Sequence, residues 1–125
     1  GYLPEEDYQG LLASCDAVLA LTTAPNTLLC GAYEAVALGK ALVLSKQEAL
    51  AAYFSRGRIL TDHTDLAMAI RQALDERPCL EAEMRSLRAE LEESWSKRWA
   101  VLCARISTSL VGRGVHASQG PETMV

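Results

Sequence analysis

"AVLALTTAPNTLLCGAYEAVALGKALVLS", residues 17–45, decides how this chain folds. It opens and closes on apolar runs, Ala17 to Thr22 and Ala41 to Ser45, with no polar alternation inside either. Such runs fit parallel strands buried on both faces rather than strands with one wet side. Between them lies a turn, Thr23 to Asn26, and then a helical stretch that Asn26 or Thr27 can cap and Gly39 can end. A strand, a helix and a second strand in that order predict a parallel pair joined by a right-handed crossover.

The same alternation continues on both sides. Pro4-Glu5-Glu6-Asp7 reads as a helix start, because proline suits the first turn and acids complement the positive end of the dipole. That helix is expected to reach about Cys15. Ser45-Lys46-Gln47-Glu48 fits a capping box ahead of a short helix through Phe54, and Gly57-Arg58 breaks that helix. Arg58 to Thr61 is a third strand candidate. Thr64 caps a helix from Asp65 to about Glu76, and Pro78 stops it.

From Leu80 onward, Met84, Leu87, Leu91, Trp95, Trp99, Leu102, Ile106 and Leu110 recur every three or four residues opposite a face rich in Glu and Arg. This is one amphipathic helix of roughly 45 Å at 1.5 Å per residue. That is longer than one small domain covers, so it should bend or reach a partner surface. The expected fold is α/β: a partial, three-stranded, parallel Rossmann-like sheet with flanking helices and a long C-terminal helix. Residues 1–78 read as the second half of a nucleotide-binding-type domain, 79–111 as the long helix and 112–125 as a flexible tail.

Composition narrows the function. A net charge of -4 and the lack of a basic cluster in the sequence argue against a nucleic-acid surface. Cys15, Cys30, Cys79 and Cys103 form no Cys-x-x-Cys pair, and with only two histidines no zinc site can be assembled, so the thiols read as small core hydrophobes. No metal and no cofactor are expected. No secretory leader or bilayer-length apolar run is visible, which predicts a cytoplasmic protein without a membrane span.

Open α/β sheets bind ligands beyond the carboxyl ends of their strands, here Thr22–Asn26, Ser45–Gln47 and Thr61–Thr64. The first of these feeds a helix N-terminus, where the N–H groups of Thr27, Leu28, Leu29 and Cys30 suit a phosphate or diphosphate. Simple capping by Asn26 and Thr27 is the other reading. Glu34 sits among Leu28, Leu29, Cys30, Tyr33, Val36 and Leu38, which predicts burial on most sides. A buried carboxylate needs a partner. A pair of ligand hydroxyls would serve, as would an arginine or a partly exposed face. No residue is marked as catalytic.

These residues carry a resemblance. Asp16 to Thr23, Asn26 to Glu34 and "EAVALGKALVLS" (34–45) resemble the C-terminal half of the donor domain in GT-B glycosyltransferases of the large retaining group that uses nucleotide-sugars. That group shows a strand ending near Pro-Ser, a Glu-x7-Glu motif and "EAMAxGxPVV". The opening "GYLPEEDYQGLLASCD" is similar to the family's lead-in, and "ESWSKRW" (93–99) to its Phe-Ser-Trp near the end. The likeness spans about residues 1–100.

The resemblance implies that Glu34 stands where the family's second glutamate holds the ribose hydroxyls. Asn26 stands where the first glutamate holds sugar hydroxyls. Thr27, Leu28 and Leu29 fall on a Gly-Phe-Gly stretch whose backbone meets sugar and phosphates. It further implies a fragment of a transferase that moves a sugar from a nucleotide-diphosphate donor to an acceptor. Such a piece would be inactive without the rest of its donor domain and the N-terminal domain of the same enzyme. Two other readings stand beside it. One is a non-catalytic interaction module, in which the long helix with its tryptophans pairs with a second copy as a homo-oligomer. The other is a sugar-nucleotide epimerase-like domain.

Overall fold

The computed structural model describes residues 1–117, with side chains through residue 112. The order is α1 (Glu5–Ser14), β1 (Ala17–Ala20), α2 (Cys30–Leu38), β2 (Ala41–Ser45), α3 (Glu48–Tyr53), β3 (Arg58–Thr61), α4 (Leu66–Asp75) and α5 (Arg77–Ala117). The fold is α/β: the three strands form one parallel sheet in the order β1-β2-β3, each reached from the last through a helix. Ala17 pairs in register with Ala41, and Leu42 with Arg58. The chain divides into two compact units, Gly1–Glu90 and Leu91–Val125.

In the first unit β2 is the central strand and every residue of it is buried. Successive side chains alternate between faces. Ala41 and Val43 join Ala69 and Ala73 of α4 and Leu80 of α5 in one core cluster. Leu42 and Leu44, also fully buried, point to the opposite face. Small residues carry the contact of α2 with β1 and β2: Ala32 and Ala35 have no exposed surface. Burial on both faces therefore holds for β2 but not for β1, which has a single neighbour among the described residues and leaves Leu19 43% exposed.

Several helix boundaries differ from the sequence expectation, each for a local reason. β1 stops at Ala20, and beyond it the Thr22 N–H donates to the Ser45 hydroxyl instead of to a ladder carbonyl. α2 starts at Cys30, three residues after Thr27. Asn26 is left-handed (φ 55°), which a right-handed helix cannot contain, and Leu29, the N-cap, is extended with no side-chain cap. Its far end is as expected: Gly39 is left-handed (φ 65°), and the Lys40 N–H closes onto the Ala35 carbonyl.

Ser45 caps nothing. It is the last residue of β2, and Gln47 precedes α3. Thr64 likewise does not cap α4, whose N-cap is Asp65. Pro78 lies in the first turn of α5, where a missing N–H costs nothing, rather than acting as a stop for α4.

All four cysteines are free thiols, and none is in the core: Cys30 and Cys79 are exposed and the other two are half-buried. α5 is unbroken through Ala117, so the first residues of the expected 112–125 tail are helical, and residues 118–125 lie outside the described residues. No described helix is long and apolar enough to cross a membrane.

Candidate functional site

Each of the three apolar strands is followed or ended by a hydroxyl residue: Thr22, Ser45 and Thr61. These three residues are linked through backbone N–H groups and His63. Ser45 is 1% exposed, and its Oγ accepts the Thr22 N–H at 2.7 Å and shares a 2.7 Å hydrogen bond with His63 Nε2. The hydroxyl of Thr61, also buried, accepts the His63 N–H at 3.1 Å, and its carbonyl accepts the Lys46 N–H at 2.7 Å. The loops after β1, β2 and β3 are thereby tied to one another through Ser45 and Thr61.

His63 is held in the left-handed region (φ 79°), where a side chain costs roughly 1–2 kcal/mol. The bonds to Ser45 and Thr61 offset that cost. Beside it the Asp62 carboxylate accepts both the hydroxyl (2.6 Å) and the N–H (3.0 Å) of Thr64. Those bonds, the hydroxyl first, hold its pKa below the usual carboxylate value, and Lys46 adds a smaller electrostatic pull.

These groups line a hollow of about 170 Å³, with Thr22, Thr23, Ser45, Lys46, Asp62 and His63 on its walls. A second hollow of about 230 Å³ shares Lys46, Thr61 and Asp62 and continues along α4 past Met68 to Gln72. Each has room for a group the size of a phosphate or a sugar ring rather than for a whole drug-sized ligand. Together the walls offer hydroxyls, one ammonium (Lys46), two carboxylates (Asp62 and Asp65) and one imidazole, a set that suits a polyhydroxylated guest, with Lys46 to meet an anionic group. A serine within 2.7 Å of a histidine nitrogen also has the spacing of a nucleophile and its base. Ser45 does not fit that role: it is buried, and its oxygen already accepts an N–H. It joins the loops instead.

The residues singled out in the sequence lie elsewhere. Asn26 is exposed in its left-handed turn, and the Thr27 hydroxyl donates to the Pro25 carbonyl at 3.2 Å. Leu28 is exposed and Leu29 is the extended residue before α2. The first N–H groups of α2 are therefore those of Cys30 and Gly31, ahead of the bond from Ala32 to the Leu29 carbonyl, and not those of Thr27 to Leu29.

Glu34 is half-buried, as the partly exposed alternative has it, and its partner within the chain is a phenol. Its Oε2 accepts the phenol of Tyr8 in α1 at 2.8 Å. That bond, more than any other influence, raises the Tyr8 pKa above its ordinary 10.0. Glu34, Tyr8, Leu12 and Leu38 line a separate hollow of about 140 Å³.

Sequence reasoning marked the strand ends but did not assign Ser45, Thr61 or His63. The recurrence of a hydroxyl at the end of every apolar run was the available signal. Among the described residues no group of three or more His, Cys, Asp or Glu side chains is placed to hold a metal. No family model, curated protein or solved structure matches this chain.

Proposed function

We propose that this chain is the nucleotide-sugar-binding half of the donor domain of a cytoplasmic glycosyltransferase. The observation that carries the binding role is the position of the polar hollow at the carboxyl ends of three parallel strands, where open α/β sheets take their ligands. The nucleotide-sugar class rests on the order of the motifs from Asp16 to Ser45. In this reading Lys46, Thr22 and Thr23 face the anionic part of the donor. The loop that leaves the hollow at Thr23 carries Asn26 to the sugar hydroxyls and the Thr27–Leu29 backbone to the diphosphate.

Glu34 meets the ribose. Its carboxylate already accepts a hydroxyl hydrogen bond, so a ribose hydroxyl would exchange one O–H donor for another. The open edge of β1, apolar and without a charge or proline to protect it, is where the first half of such a domain would continue the sheet. Catalysis would be electrostatic stabilisation of the leaving diphosphate, which needs that other half, so this piece alone is inactive.

Titrating the isotope-labelled chain with UDP, GDP and ADP, watched by amide NMR, tests the reading. Shifts at Thr22, Lys46 and His63 with dissociation constants of about 1–10 mM are expected, weakened by Lys46→Ala and by Glu34→Ala. Amide signals unmoved by all three nucleotides at about 10 mM would refute the binding role. Weakening by Lys46→Ala but not by Glu34→Ala would remove only the ribose assignment.

A further inference from the structure

We infer that the distal part of α5, from Ser94 onward, is a docking surface for an anionic lipid bilayer, lying along it rather than crossing it. The inference does not rest on the donor-domain reading. Trp95, Trp99, Leu102, Ile106 and Leu110 are all between 46% and 63% exposed. At about 100° per residue they fall within an arc of about 80°, a single stripe about 22 Å long. The two indoles stack, centroids 5.9 Å apart and planes 24° from parallel. Together the five side chains expose on the order of 500 Å² of apolar surface, at the upper end of what a monomer normally leaves bare.

Charge selects the occupant. The chain as a whole is acidic, yet from Ser94 to Gly112 it carries Lys97, Arg98 and Arg105 and no acid. Lys97 is paired with Glu93 at 2.8 Å. Arg98 and Arg105 share one margin of the stripe, where long side chains reach outward while their stems cover apolar surface. A second copy of the segment 94–112, packed stripe to stripe, would bring arginines to that margin and no carboxylate from within the segment to meet them. An anionic lipid surface supplies the negative charge and an apolar boundary at which tryptophan is favoured. The same helix is too polar to span a bilayer.

Sedimentation with vesicles tests this, using phosphatidylcholine alone and phosphatidylcholine with about 30% phosphatidylglycerol. The full chain is expected to pellet with the anionic vesicles only. Its tryptophan emission should shift to the blue, and binding should fall away at about 0.5 M salt. Arg98→Gln/Arg105→Gln should weaken that binding roughly 30-fold, at about 1 kcal/mol for each charge near the surface. Trp95→Ala/Trp99→Ala should abolish it, with circular dichroism of both variants unchanged. Three outcomes would overturn the inference: no binding to the anionic vesicles, equal binding by the arginine variant, or a lipid-free dimer that buries the indoles.

Discussion

Ser45 joins three strand-end loops through one oxygen, so Ser45→Ala should damage both the fold and the hollow. The substitution removes the acceptor of the Thr22 N–H and the partner of His63 Nε2. Leaving a half-buried N–H without an acceptor costs about 1–1.5 kcal/mol, and losing the bond to an exposed imidazole about 0.5–1 kcal/mol more. The total is about 2 kcal/mol, or about 6–10 °C in Tm for a chain of this size. Urea unfolding followed by circular dichroism reads that difference. A double-mutant cycle with His63→Ala isolates the shared bond, with an expected coupling of about 0.5–1 kcal/mol. Hydrogen exchange adds a local readout: the Thr22 amide should lose protection while the β2 amides keep theirs. A loss below about 0.5 kcal/mol, with the Thr22 amide still protected, would refute the argument that Ser45 ties the loops.

Two other perturbations probe what surrounds the site. Gly57 is left-handed (φ 72°), and a Cβ there would lie 2.9 Å from Met84 Cβ and 3.0 Å from Met84 Cα, so Gly57→Ala should cost about 3–5 kcal/mol through strain and overpacking. Gly39→Ala, also left-handed but meeting only Arg85 Cγ at 3.7 Å, should cost about 1–2 kcal/mol; equal losses in urea would contradict the close approach of α5 at Gly57. The Tyr8 phenol is bound in its neutral form, so its folded pKa lies above the unfolded value. Its contribution is fully present below pH 10 and lost as pH climbs through the raised value, and Tyr8→Phe should remove that component from the tyrosinate absorbance titration.

The elements that tertiary packing had little power to change were legible in the sequence. Two apolar runs of five or six residues, with a helical stretch and a glycine between them, left little choice but a parallel pair. Gly39 adopts the left-handed end that its position implied. Helix starts were less legible, because a hydroxyl or amide before an apolar run has other uses. Ser45 had the spacing of a capping box, yet its hydroxyl went to another loop and another strand, contacts that no local pattern encodes. The pattern offers Asn26 or Thr27 as the cap, and Asn26 takes a left-handed turn with α2 starting only at Cys30. The site was hidden for the same reason. His63 is two residues past β3 in sequence, and only the sheet order brings it to Ser45, eighteen residues earlier.

Glu34 shows how a satisfied partner changes an inference. A carboxylate in an apolar helix demands a donor, and from the sequence a ligand's hydroxyls, an arginine or a partly exposed face could each answer it. The fold answers it from within, because α1 presents a phenol at 2.8 Å. Once the acid has that partner, its presence in the helix is no longer evidence for a ribose. What remains in favour of one is the sequence motif alone. The strand-end hollow needs no such motif: a buried hydroxyl, a strained histidine and loops from all three strands converge there without an apolar reason to do so. Polar groups kept together at that cost in strain, at the end of the sheet where ligands bind, are the stronger ground for a binding function. The weight of the proposal therefore rests on Lys46, Ser45 and His63 more than on Glu34.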